Sequence, residues 1–343
     1  MGLGIAVRGT MAALACAALI GPSGANAQSF NDNKPIKYSV DGATATGYMK
    51  VVTEAINGIV REMYPGTDAT YKPGSPVGGI INISTGKSDF VFTGVPPEIK
   101  YAIEGKAPYK QSYKGKFSYV MLFHNDLVMH SFMTEEFADK HKIRTFADLV
   151  KAKPAFSLGV NNAGTMQSNL PFYVATFEAY GVKEADLTKW GVKLVRGNIS
   201  NTIEAFRDGK IDVVINGGFV PTAALADVAR SRKIVWLEGD PATIKRAADS
   251  WGNKTYTVKA GVYDFVKKDE TTITVWNAAV AGAHVPEETV YKFLKALYKN
   301  EARVRTIHPT LRQFSMKANS FNPSPLPYHP GAARFYREIG VIK

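Results

Sequence analysis

A single cysteine, Cys16, occurs in the 343 residues, and it falls near the amino terminus. Without a second thiol the chain can form no internal disulfide and no multi-thiolate metal site. Long apolar runs are scarce too. The most concentrated one, Met11 to Ile20 (MAALACAALI), is far shorter than the ~20 residues that cross a bilayer. No block of five or six like charges occurs, which removes the usual footprint of a nucleic-acid-binding chain. Enzyme signatures are missing as well. None of the six histidines (His124, His130, His141, His284, His308 and His329) forms a His-Glu-x-x-His, and no Gly-x-Ser-x-Gly elbow is present. His124 and His130 read as ordinary polar residues of one strand region. Lys87 and Ser88 follow Gly86 as in a phosphate loop. That loop needs another glycine five residues earlier, where Ile81 stands, and this glycine ends a helix instead of opening one. No metal site, cofactor or catalytic group is predicted.

The amino terminus reads as a signal peptide, residues 1–27. Arg8 supplies the charge, Gly21-Pro22-Ser23-Gly24 breaks the apolar run, and Ala25-Asn26-Ala27 sets a cut ahead of Gln28. A flexible leader on a cytoplasmic protein and a lipoprotein anchored at Cys16 are the alternatives. Few apolar residues precede that cysteine, which weighs against the second. Cleavage would leave a periplasmic, cysteine-free chain of about 316 residues, more than one core usually fills, so two domains are expected. The net charge of +12 would fall by one with Arg8 and would favour anionic partners. A generally basic, solvated surface accounts for the scattered lysines and arginines equally well.

One pattern occurs twice, about 120 residues apart. The first copy is a strand (36–40), a small-residue loop (Gly42-Ala43-Thr44-Ala45-Thr46-Gly47) and a helix with Tyr48, Val52, Ala55, Ile56, Ile59 and Met63 on one face. Tyr64-Pro65-Gly66 stops that helix. A second helix, about 77–85, leads through Gly86-Lys87-Ser88-Asp89 into a buried strand ending at Thr93-Gly94. The second copy has a strand (156–160), the loop Asn161-Asn162-Ala163-Gly164-Thr165 and a helix running to Tyr180 with Gly181 as its stop. A strand (192–195) follows, then a helix with a capping box assigned to Asn201 and Glu204. Gly209-Lys210-Ile211-Asp212 then opens a strand ending at Asn216-Gly217.

In open parallel α/β sheets, ligands gather outside the carboxyl ends of the strands. Those ends here carry small, polar residues that expose backbone N–H groups, a setting that suits an anion. Gly, Thr and Asn also serve simply to turn and cap, and that alternative stays open.

The chain resembles the TAXI family, solute-binding subunits of tripartite ATP-independent periplasmic (TRAP) transporters. Three stretches carry the resemblance: residues 42–48 (Gly-Ala-Thr-Ala-Thr-Gly-Tyr), the run from Ser75-Pro76-Val77-Gly78 to Phe92, and Leu326-Pro327-Tyr328-His329-Pro330-Gly331-Ala332-Ala333-Arg334-Phe335-Tyr336. His308-Pro309 fits as well. The resemblance implies an α/β fold of two type II periplasmic-binding-protein lobes with two crossing hinge segments, near 127–132 and 271–278. Lobe 1 would comprise 28–128 and 276–343, and lobe 2 would comprise 129–275. It implies a small anionic solute, dicarboxylate or amino-acid-like, captured by hinge closure and delivered to TRAP permease subunits. The implied ligand shell is Thr44, Thr46, Gly47, Tyr48, Ser75, Val77, Gly78 and Thr93 with Asn161, Asn162, Ala163, Gly164, Thr165, Asn216, Gly217 and Phe219. His329 to Tyr336 is expected to fix the carboxyl-terminal helix on lobe 1. Departures fall in the loops. Met49-Lys50 replaces the family's Tyr-Pro, Asn161-Asn162-Ala163-Gly164-Thr165 replaces its Gly-Ser-Gly-Thr, and Pro171 requires either a helix starting near Ser168 or a kink. The segment from Tyr101 to Tyr119 reads as a lid, a permease contact or a long loop. A binding protein of an ATP-driven importer, or an exported sensor partner or enzyme on the same fold, is the rival reading.

Overall fold

The computed structural model describes residues 1–2, 33–43, 48–162 and 172–343, excluding the side chains of Ala43, Asn125 and Asp126. The fold described here is that of residues 32–343. Residues 3–27 of the expected signal peptide, the expected site residues Thr44, Thr46, Gly47, Ala163, Gly164 and Thr165, and Pro171 lie outside the described residues.

The first half is β1 (Lys37–Ala43), α1 (Tyr48–Met63), β2 (Asp68–Pro73), α2 (Pro76–Ser84), β3 (Phe90–Gly94) and α3 (Pro96–Glu104). The long β4 (Phe117–Thr134) then leaves for the second half. That half holds α4 (Glu135–His141), α5 (Phe146–Ala152), β5 (Ser157–Val160), α6 (Phe172–Ala179), α7 (Glu184–Lys189), β6 (Lys193–Arg196), α8 (Ile199–Arg207) and β7 (Val213–Gly218). It continues through α9 (Ala223–Ser231), β8 (Ile234–Trp236), α10 (Pro241–Ser250) and β9 (Lys254–Val258). The long β10 (Glu270–Gly282) returns, and α11 (Glu287–Lys299), α12 (Glu301–Ile307), a 3-10 turn (Pro309–Leu311), α13 (Met316–Asn319) and α14 (Pro330–Glu338) complete the first half.

The strands form one sheet with the path β2-β1-β3-β10-β4-β7-β5-β6, with β8 beside β4 and β9 beside β10. Each half therefore has the same order: β2-β1-β3-β10-β4 in the first, β6-β5-β7-β4-β10 in the second. The outer three strands of each half are parallel, and the strand that crosses in from the other half is antiparallel to β3 or β7. This is the two-lobed type II architecture that the family resemblance implied, with β4 and β10 as its crossing segments. Register irregularities flank Asn277 on β10, opposite His124 and Leu127 on β4, where the pairing passes from one half to the other.

The duplicated Gly-Lys-x-Asp segments have matching roles. Asp89 Oδ2 accepts the Ser39 N–H at 2.7 Å, and Asp212 Oδ2 accepts the Ser157 N–H at 2.8 Å. Each aspartate thus ties its strand to the start of the neighbouring parallel strand. Successive residues of β7 face opposite cores, as a buried strand requires. Val213 and Ile215 join Phe146, Leu158, Phe172 and Phe177, whereas Val214 joins Phe132, Phe206 and Trp236. The first half has its own cluster around Val77, Ile80, Phe117 and Tyr119.

Three expectations need amendment. The cap of α8 is Asn198, whose side chain accepts the Asn201 N–H at 2.9 Å. Asn201 therefore sits inside the first turn, because Gly197 and Asn198 already leave the strand. The edge strand β2 gave no sequence signal, since Ala69 and Thr67 beside it are its main buried side chains. The stretch from Tyr101 to Tyr119 contains the end of α3 and the start of β4. Between them, buried Tyr109 and Tyr113 pack on the first-half core and the Tyr113 N–H donates to Ala102 O at 2.8 Å. The carboxyl-terminal motif does fix α14. His329 Nδ1 accepts the Gly331 N–H, His329 Nε2 lies 3.1 Å from Val285 O, and Tyr336 OH donates to Val120 O at 2.8 Å.

Candidate functional site

The carboxyl ends of β1 and β3 meet the amino end of α2. Ser75 caps that helix, its Oγ accepting the Gly78 N–H at 3.1 Å, and Pro76 fills the first helical position, where no N–H is needed. The Val77 side chain is fully buried in the core, so only the backbone of that residue can face a solute. Thr93 Oγ1 donates to Gly42 O at 2.9 Å. Gly42 has φ +111°, and a Cβ there would approach Thr93 Oγ1 to 2.9 Å. Only glycine suits that position. The threonine thereby ties the end of β3 to the end of β1.

In the second half Asn161 is buried and Asn162 is partly exposed at the end of β5. Asn216 is buried and turned inward. Its Nδ2 donates to Gly197 O and Thr202 Oγ1, both at 3.1 Å, and its Oδ1 accepts the Gly217 N–H at 2.8 Å. Those bonds give Asn216 a supporting role in shaping the site. Gly217 packs so closely on Phe172 that a Cβ would lie 2.5 Å from its ring. Phe219, just beyond β7, reaches the other half.

Four rings meet there. Tyr48, the first residue of α1, lies 5.2 Å from Phe219, 5.7 Å from His124 and 4.6 Å from His308, centroid to centroid. Phe219 is also 5.3 Å from His124 and 6.1 Å from His308. The edge-to-face geometries suit the quadrupoles of the rings. The Thr310 hydroxyl donates to Tyr48 OH at 3.0 Å. Asn277 Nδ2 lies 3.4 Å from His124 Nε2, and Asn277 Oδ1 is buried without a hydrogen-bond partner among the described residues. The structure thus joins Tyr48 to Phe219 as a cross-half contact and adds His124, Asn277, His308 and Thr310, which the repeat did not point to. The His308-Pro309 pair was the one available sequence signal for the last two.

Beside this cluster, against Leu122, Phe123 and His124 of β4, lies a cavity of about 450 Å³, lined also by Tyr256, Thr310, Arg312 and Gln313. Farther along β4, His130 is fully buried. Its Nδ1 lies 3.1 Å from Val128 O and its Nε2 lies 2.9 Å from Tyr263 OH, which accepts the Thr222 N–H. That chain of bonds suits a neutral imidazole with its proton on Nδ1. Burial lowers its pKa to about 4. Among the described residues no group of three His, Cys, Asp or Glu side chains is placed to hold a metal ion. None of the described helices is long and apolar enough to cross a membrane. What the arrangement offers is hydrogen bonding, ring contact and one guanidinium, the means of reversible binding.

The model of the NMT1-like family matches residues 42–340. Several solved structures are similar. A TctC solute-binding protein from Polaromonas is 15% identical over 82% of this chain and 86% of that chain, with TM-score 0.46. An R. palustris protein determined with adipate is 14% identical over 89% and 94%, with TM-score 0.48. The periplasmic aliphatic sulphonate binding protein SsuA from Escherichia coli is 11% identical over 89% and 84%, with TM-score 0.45.

Proposed function

The chain belongs to the NMT1-like family, and on that premise we propose that it is an extracytoplasmic solute-binding protein. It captures a small, carboxylate-bearing solute between two lobes and delivers it to a secondary permease of the TRAP type. The observation that carries this reading is the contact between Tyr48 and Phe219, residues that stand on opposite halves. A solute touching both halves gains contacts in the closed form that the open form lacks, and so shifts the population toward closure. Micromolar affinity corresponds to about −8 kcal/mol, enough to drive closure when most of it is specific to the closed form.

In this proposal residues 28–128 and 276–343 move as lobe 1 and 129–275 as lobe 2, after export by residues 1–27. The solute is contacted by the loops at 44–47 and 163–165, by the amino end of α2, and by Tyr48, Thr93, Asn161, Asn162, Gly217 and Phe219. The motifs at 42–48 and 326–336 favour the TAXI group and hence a TRAP permease. A thermal-shift screen of carboxylates and amino acids tests the capture step. A ligand at about 100 times its dissociation constant raises the unfolding free energy by about 2.7 kcal/mol. A screen in which no solute stabilises the chain would count against the proposal.

A further inference from the structure

We propose that Arg312 is the anchor for the carboxylate of the solute, held in the 450 Å³ cavity beside the ring cluster. This deepens the capture reading and rests on it. Charge balance singles the cavity out. Another cavity, about 740 Å³, sets Lys100 and Lys114 against Glu104 and Asp249. A third, about 380 Å³, sets Lys268 against Glu238, Asp240, Asp269 and Glu270. Among the described residues that line the cavity beside the rings Arg312 faces no carboxylate, and the other polar liners are His124, Tyr256, Thr310, Gln313 and Asn319. Among the described residues Arg312 has no ion-pair partner.

The loop that carries Arg312 is fastened on both sides. Buried Leu311 and Phe314 flank it, and the Arg312 N–H donates to Pro309 O at 3.2 Å. Arg305 Nε donates to Phe314 O at 2.7 Å, and Asn319 Nδ2 donates to Leu122 O and Phe123 O at 2.7 and 3.0 Å. The backbone that carries the exposed Arg312 side chain is thus fixed, and the planar fork of the guanidinium matches a carboxylate. The volume suits a small organic acid. His124 and Thr310 belong both to the cavity and to the ring cluster. An acid held at Arg312 therefore extends toward Tyr48 and Phe219, where closure is sensed.

The test is calorimetric titration of the full chain with succinate, glutarate, L-glutamate and benzoate, each paired with its amide: succinamate, glutaramate, L-glutamine and benzamide. At least one acid is expected to bind, with its amide at least tenfold weaker. In Arg312→Gln the acid loses at least tenfold and the amide loses nothing further. Arg312→Lys, which keeps the charge without the fork, falls between, and serves alone if the glutamine variant does not fold. Lys317→Gln, on the same segment outside the cavity, leaves affinity unchanged. Acid binding that survives Arg312→Gln, or an amide that binds the unaltered chain equally well, overturns the anchor and leaves capture standing. Failure of every acid to bind the unaltered chain overturns both.

Discussion

Phe219, just past the end of β7, sets its ring 5.2 Å from that of Tyr48, which opens α1, in an edge-to-face contact. The two residues are far apart in sequence and belong to opposite ends of the crossing strands. The same tyrosine is fixed from behind by the Thr310 hydroxyl. In the proposed closure, a contact of this kind would form or break as the halves turn about β4 and β10.

Phe219→Ala should weaken solute binding by about tenfold while costing little stability. Aromatic pairs add about 0.5–1.5 kcal/mol beyond their buried area, and Phe219 is only partly buried. Calorimetry on the variant checks the affinity, and urea unfolding checks the stability. Unchanged affinity would remove the ring contact from closure.

Asn216→Ala should behave in the opposite way. Its carboxamide makes three hydrogen bonds within the fold, so the loss leaves Gly197 O and the Gly217 N–H without their partner. A cost of about 2–3 kcal/mol in unfolding free energy is expected. Affinity measured on the folded fraction should change far less than in Phe219→Ala.

Gly331→Ala should be among the most destabilising single changes in the chain. A Cβ at that position would strike Glu287 O and lie 2.9 Å from the Tyr291 N on α11. Helices α11 and α14 would have to separate, at a cost of about 3 kcal/mol. Thermal unfolding of the variant measures it, and an unshifted midpoint would contradict the close packing.

Two buried groups give opposing pH dependences. His130 titrates near 6.5 in an unfolded chain, whereas burial holds it at about 4 in the fold. Its contribution is complete above pH 6.5 and is lost on acidification toward 4, up to about 3 kcal/mol. Glu270 is raised to about 7 by burial, with Glu238 adding repulsion. Its contribution is present below about pH 4.3 and disappears as the pH rises through 7. Between about pH 4.5 and 6.5 the two slopes oppose one another. Glu270→Gln should therefore raise stability at pH 8 by about 1–2 kcal/mol, less than the full shift because Lys268 and nearby water screen the charge. It should also expose a steeper acid loss, read by urea unfolding across that range. An identical pH profile in the variant would contradict the assignment.

Much of the architecture was legible in the residues. The three- and four-residue steps from Tyr48 to Met63 marked α1, and Gly86 marked the stop after α2, because periodicity and helix stops are local. The duplicated aspartates Asp89 and Asp212 showed that two halves share a plan, although their bonds to Ser39 and Ser157 needed coordinates. The edge strand β2 escaped notice because it buries too little to alternate. The candidate site was legible only where a loop announced it. Tyr48 and Phe219 stood among the expected residues, whereas Asn216 looked like a ligand contact and proved to be turned inward. Asn277, Thr310 and Arg312 are brought to the site by the crossing strand and by a carboxyl-terminal loop. No spacing in the sequence encodes a juxtaposition made by returning chain.

The most direct test of the account is the distance between the halves with and without solute. With Cys16→Ser, spin labels at Lys299→Cys on α11 and Lys189→Cys on α7 report that distance by pulsed electron resonance. The account predicts that the acid selected by calorimetry, at saturation, narrows the distribution and shifts it to a new mean. The shift should be lost in Phe219→Ala at the same concentration. A distribution unchanged at saturating solute would contradict capture by closure.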